Sequence, residues 1–205
     1  MRDAAQLYAS FDIGKPGNNP IFVWRPLPGG AIQLVGYSDQ FNQEEAIDWL
    51  VESYPESKVK VIYPHDGGNP GTDLGISQVD KSERYVKKKG YEYRIDIDSA
   101  LNKTKNRVHL VRNGVTMINR VYADVDLCGE GLDKLASVRM VKDNKTGYIK
   151  FGKFTNHNSS HTGDAFCYIF AALEEDRVSM KNLQRAQVGR PMQTNYAAEF
   201  KRGSV

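Results

Sequence analysis

The chain has 205 residues, of which 40% are hydrophobic and 26% charged, with a formal net charge of +3. That is the composition of a globular protein large enough to bury a core, and no apolar run approaches the roughly 20 residues of a membrane span. Two cysteines, Cys128 and Cys167, with no CxxC pair, speak against a disulfide or zinc framework and suit a reducing compartment.

Leu7-Tyr8-Ala9-Ser10-Phe11-Asp12-Ile13-Gly14 alternates as a strand, with Leu7, Phe11 and Ile13 on one face and Tyr8, Ser10 and Asp12 on the other. Turn formers fill residues 15–20, and two further extended runs, 21–25 and 31–37, flank Pro26-Leu27-Pro28-Gly29-Gly30. The pattern predicts an antiparallel three-strand meander. A helix follows from about Asn42 to Tyr54, carrying Ala46, Ile47, Leu50 and Val51 as an apolar stripe and stopped by Pro55. Residues 59–63 read as a strand and Pro64-His65-Asp66-Gly67-Gly68 as the turn after it. A helix between two strands implies a parallel crossover.

The spacing then predicts a helix over 77–89 stopped by Gly90, a strand over 91–97, and a helix capped by Asp98 or Ser99 and running to Arg112. It predicts an extended segment over 115–122, a helix over 126–140, and a hairpin around Asp143-Asn144-Lys145-Thr146-Gly147. The last predicted helix runs from Ser160 to Glu175, capped by Ser159 or Ser160. On that reading Asp164 lies in its first turn, where the helix dipole favours a carboxylate, and His161 lies on the same face. The chain is taken as one domain over 1–175, followed by a polar, flexible tail over 176–205.

Charge is unevenly distributed. Residues 1–80 carry 5 Lys/Arg against 11 Asp/Glu, and residues 81–120 carry 11 against 4. An acidic part beside a basic part suits cation-binding carboxylates next to a polyanion track, and equally suits a solvated lysine-rich helix face. Asp12 ends the first strand, Asp66 follows the fourth and Asp164 belongs to the late helix. Functional groups in open α/β sheets gather beyond the carboxyl ends of strands. Carboxylates gathered there repel unless protonated or bridged by a cation, and oxygen ligands suit Mg²⁺ or Mn²⁺.

Ser160-His161-Thr162-Gly163-Asp164-Ala165-Phe166 resembles the C-terminal signature of large terminase subunits from tailed phages of the headful-packaging type. Arg107-Val108-His109-Leu110-Val111-Arg112-Asn113-Gly114 and the run from Cys128 to Leu135 resemble a further stretch of that family. Phe11-Asp12-Ile13-Gly14 and Tyr63-Pro64-His65-Asp66-Gly67-Gly68 resemble its first two acidic motifs. The resemblance spans residues 7–173.

It implies an α/β nuclease domain of the RNase H-like (retroviral integrase-like) fold, with three antiparallel strands, then parallel strands, and helices on both faces. It also implies metal-dependent cleavage of double-stranded concatemeric viral DNA during packaging, with two Mg²⁺ or Mn²⁺ ions held by Asp12, Asp66 and Asp164. His161 would be an extra ligand or a group that orients one. Lys87, Lys88, Lys89, Lys103, Lys105, Arg107, Lys145, Lys150 and Lys153 are candidate phosphate contacts. The chain lacks GxxxxGK[ST], so the packaging ATPase is expected N-terminal to this piece, with the portal protein and small terminase subunit as partners in the host cytoplasm. The rival readings are a junction resolvase or RNase H, and a DNA- or portal-binding module without catalysis.

Overall fold

The computed structural model describes residues 5–13, 19–27, 31–70, 75–101, 121–138, 140–142, 149–151, 157–175 and 177–178. Strands β1 (Ala5–Phe11), β2 (Ile21–Pro26) and β3 (Ile32–Ser38) form the expected antiparallel meander. Helix α1 (Gln43–Ser53) carries the chain back to β4 (Ser57–Ile62), which pairs parallel to β1. After a single 3-10 turn (His65–Gly68), α2 (Gln78–Lys89) leads to β5 (Ile95–Ile97), parallel to β4. A third strand outside the meander, β6 (Val121–Ala123), pairs parallel to β3, so the order is β5-β4-β1-β2-β3-β6. Helix α3 (Val125–Ser137), the antiparallel pair β7 (Met140–Lys142) and β8 (Ile149–Phe151), and α4 (His157–Glu174) complete the described elements. This is the RNase H-like arrangement.

Alternation along the strands sends apolar side chains to both faces, and each face has its own helices. Leu7, Ala9, Phe11, Ile21 and Val23 pack with Ala46, Ile47 and Leu50 of α1 and Val79 and Val86 of α2. Tyr8, Phe22, Trp24 and Leu34 pack with Cys128 of α3 and Ala165, Ile169 and Ala172 of α4. The polar atoms of this second face are paired inside it: Trp24 Nε1 donates to Ser10 Oγ at 2.9 Å, and Tyr37 Oη and Thr162 Oγ1 are 2.9 Å apart.

The helix ends follow their capping residues. Asn42 and Glu45 form a capping box on α1, and Ser77 and Asp80 form one on α2, which ends at Gly90 in the left-handed region (φ 70°). Arg94 Nη2 donates to the carbonyls of Val51 and Tyr54, satisfying the end of α1.

Several boundaries differ from expectation. Residues 91–94 turn rather than extend, because Tyr91 N–H donates back to the Val86 carbonyl and Ile95 N–H to the Tyr91 carbonyl. Helix α3 stops at Ser137, and Met140 opens β7 instead. Helix α4 starts at His157, so Ser159 and Ser160 lie within it rather than at its cap position. Asp164 is therefore its eighth residue, beyond reach of the N-terminal dipole. Residues 99–101, expected to open the helix ending at Arg112, are not helical; the rest of that helix, the 143–147 turn and the tail beyond Val178 lie outside the described residues. Arg177 and Val178 themselves are held: Arg177 donates to Asp98, Ser99, Ala100 and Glu175, and Val178 is buried. Among the described residues no helix is long and apolar enough to cross a membrane.

Helix α3 can seat on the sheet because Gly131 has no side chain. A Cβ there would lie 2.5 Å from Tyr37 Cγ and 2.6 Å from Cδ2. An alanine gains about 1 kcal/mol of helix propensity, but displacing a buried ring costs about 1–3 kcal/mol. Gly131→Ala is thus expected to lower the unfolding free energy by about 1 kcal/mol in urea denaturation, where an exposed helical glycine would give a gain.

Candidate metal centre

Strands β1, β3, β4, β5 and β6 all run the same way, because β3 is two antiparallel steps from β1. An aspartate follows each: Asp12, Asp39, Asp66, Asp98 and Asp124. Five carboxylates thus leave one edge of the sheet, where the sequence motifs pick out only Asp12 and Asp66. The signal that finds the others is an aspartate within a few residues of a strand's end, legible once strand directions are known.

Three of the five are engaged in holding the fold. The Asp124 carboxylate caps α3 by accepting from Asp126 and Leu127 N–H. Asp98 sits between Lys60 (3.1 Å) and Arg177 (3.2 Å). Asp39, buried, is paired with Lys134 of α3, which also donates to Glu130 at 2.7 Å and lies over the Tyr37 ring, 5.6 Å from its centroid. Burial pulls the Lys134 ammonium down, but its hydrogen bonds to Asp39 and Glu130 outweigh that and hold it above its ordinary value of 10.5.

Asp12 is different. It lies on the face that alternation assigned it, the face covered by α4, and is 8% exposed. Its N–H donates to the Pro20 carbonyl at 3.0 Å, which fixes the backbone beyond β1. His161 Nδ1 is 2.6 Å from Asp12 Oδ2. A carboxylate only accepts, so Nδ1 carries the proton, and in the neutral ring Nε2 carries the lone pair. The imidazole therefore binds the side chain of the central aspartate.

Asp66 is exposed, on the 3-10 turn closed by Gly67 N–H to the Pro64 carbonyl (2.9 Å). That turn sits against the residue after Asp12: a Cβ on Gly67 would lie 3.0 Å from Ile13 Cδ1 and 3.1 Å from Tyr63 Cβ. The Asp66 turn and the end of β1 are thus packed together. Asp164, half-buried, lies three residues beyond His161 on the same side of α4. The donor types, three carboxylates and an imidazole, fit a hard divalent cation. As the side chains stand, no group of three His, Cys, Asp or Glu is gathered for an ion among the described residues.

Four of the nine candidate phosphate contacts, Lys87, Lys88, Lys89 and Lys150, are among the described residues. Lys87, Lys88 and Lys89 are exposed in the last turn of α2, which runs from the Tyr63 end of β4 back toward the start of β5. That places them about 18 Å, one helix length, from the edge bearing Asp66. Lys89 is also paired with Asp48 at 3.4 Å. Lys150 belongs to β8, while Lys103, Lys105, Arg107, Lys145 and Lys153 lie outside the described residues.

No family model and no curated protein matches the sequence. Solved structures do share its fold. The large terminase of a thermophilic bacteriophage, in complex with ATP-γ-S, matches with a TM-score of 0.53 and 20% identity over 84% of this chain and 41% of that one. The same terminase with ADP gives 0.52 and 21%, over 84% and 40%. The large terminase nuclease of thermophilic phage G20c with bound magnesium gives 0.49 and 16%, over 82% of each chain. The matches to the two nucleotide complexes establish a shared fold, and this chain spans about two fifths of that terminase's length.

The Asp39–Lys134 pair yields a stability expectation. Removing one partner of a buried pair costs about 3–5 kcal/mol, discounted here because Lys134 keeps 24% of its side chain exposed. Lys134→Met is expected to lower the unfolding free energy by about 2 kcal/mol. A lysine held above its ordinary value contributes fully below that value and loses the contribution only as alkali titrates it. The deficit should therefore be constant between about pH 6 and 9 in urea titrations.

Proposed function

We propose that this chain is the nuclease part of a viral DNA-packaging terminase: a metal-dependent endonuclease that hydrolyses double-stranded concatemeric DNA with little sequence preference. The observation that carries the reading is Asp12, buried at the end of the central strand, bound to His161 and flanked by the Asp66 turn. The fold shared with the thermophilic-phage large terminase supports it, as do the motifs around Asp12, Asp66 and Asp164. An N-terminal packaging ATPase, the portal protein and the small terminase subunit are the partners this reading assigns.

Asp12, Asp66 and Asp164 would hold Mg²⁺ or Mn²⁺. Bound there, the metal supplies an activated water and charge stabilisation for the leaving 3′ oxygen. The protein's own part is positioning. The sheet fixes Asp12 through its neighbours on both sides, so the carboxylate does not have to be ordered when DNA arrives. His161 donates to Asp12 Oδ2 and so orients the carboxylate. The 3-10 turn presents Asp66 from the exposed side, where a phosphodiester would approach.

Nicking of supercoiled plasmid with Mg²⁺, Mn²⁺ or EDTA tests the reading. Metal-dependent nicking is expected, reduced at least about a hundredfold in Asp12→Asn and Asp164→Asn with unchanged circular dichroism. Wild-type cutting by folded Asp12→Asn would overturn the assignment. Preferential cutting of RNA–DNA hybrids or four-way junctions would replace it with an RNase H or a resolvase.

The lysines of α2 are too distant to touch the reacting phosphate. Replacing Lys87, Lys88 and Lys89 together by alanine is expected to leave kcat within about twofold and raise KM, with a shallower salt dependence of binding. A kcat loss above about tenfold would bring them to the site.

A further inference from the structure

The Asp12–His161 contact depends on how α4 is rolled about its axis, and the structure holds that roll by a second bond from the adjacent residue. Thr162, fully buried, has its Oγ1 2.9 Å from Tyr37 Oη of β3. Neighbouring helix residues project about 100° apart. His161 is tied to the end of β1, and Thr162 to β3, two strands away in the sheet order. One directed bond leaves a helix free to roll about it; two bonds at this angle, to two strands of one rigid sheet, fix roll and height together.

Tyr37 is itself immobilised. Its ring lies against Phe22 with centroids 4.9 Å apart, against the backbone of Gly131, and under the Lys134 ammonium. Gly131 and Lys134 are one turn apart on α3, so that helix grips the ring from two points. Packing alone would be met by phenylalanine here and valine at 162. A hydrogen bond between two buried hydroxyls adds a direction that packing alone lacks.

We propose that Tyr37 is a positioning residue: through its hydrogen bond to Thr162 it sets the roll of α4 and so holds the His161 imidazole on Asp12. Its consequence for catalysis rests on the nuclease reading above; its consequence for His161 does not.

The test uses the whole chain and three variants, Tyr37→Phe, Thr162→Val and Thr162→Ser, each checked for folding by circular dichroism. The first readout is the ¹⁵N spectrum of the His161 side chain, assigned by comparison with His161→Gln. Wild type and Thr162→Ser should show one dominant tautomer, protonated at Nδ1. Tyr37→Phe and Thr162→Val should each show a mixture, and the double variant should be no worse than either alone. The second readout is plasmid nicking, in which both single variants should lose about tenfold in kcat, with KM within about twofold. An unchanged His161 tautomer in folded Tyr37→Phe and folded Thr162→Val overturns the positioning role whatever the activity. If wild type does not nick DNA under any metal, the nuclease reading fails, and the tautomer measurement still decides the role of Tyr37.

Discussion

Everything at the candidate site hangs on strand β1. It is hydrogen-bonded on both sides, antiparallel to β2 and parallel to β4, and covered on both faces by helices. Leu7, Ala9 and Phe11 are consumed by one core, Tyr8 and Ser10 by the other. A strand held on four sides cannot shift register without exposing one core and burying polar groups in the other. The residue that follows it, Asp12, inherits that rigidity. A carboxylate placed at the end of such a strand is fixed before any ligand arrives.

Burying that carboxylate creates a need for polar partners, because an unpaired buried charge is costly. The edge of the sheet shows two solutions side by side. Asp39 is given a lysine, a permanent cation that neutralises it and binds α3 to the sheet. Asp12 is given an imidazole, which donates a hydrogen bond without necessarily bringing a full charge. The first arrangement closes the site electrostatically; the second leaves the carboxylate able to work with a cation. This difference in partner chemistry separates Asp39 from Asp12.

The second face of the sheet is where polar side chains organise the helices. Trp24 bonds Ser10, Tyr37 bonds Thr162, and Lys134 reaches Asp39 over the Tyr37 ring. The first face has its own network, in which Gln43 and Ser82 meet the Tyr63 hydroxyl near the end of β4. Apolar packing brings the layers together and is tolerant of small rotations. Directed hydrogen bonds are not, and those of α4 fall beside the residue whose orientation matters.

Local features were legible in the residues alone. The alternation of residues 7–12 assigned Asp12 to the correct face, because strand side chains alternate regardless of what covers them. The meander, the crossover through α1, and the end of α2 at Gly90 follow from turn chemistry and helical spacing. Features set by contacts across long separations emerged only in the folded chain. Helix α4 begins before Ser159, so the apparent capping serines were misleading and Asp164 lies deep in the helix. Strand β6 joins the far side of β3, and the aspartates after β3, β5 and β6 share the edge with Asp12. The Asp12–His161 and Tyr37–Thr162 bonds span 149 and 125 residues. Propensity and periodicity act over a turn or two of chain, whereas bonds like these exist only after both faces of the sheet have found their helices.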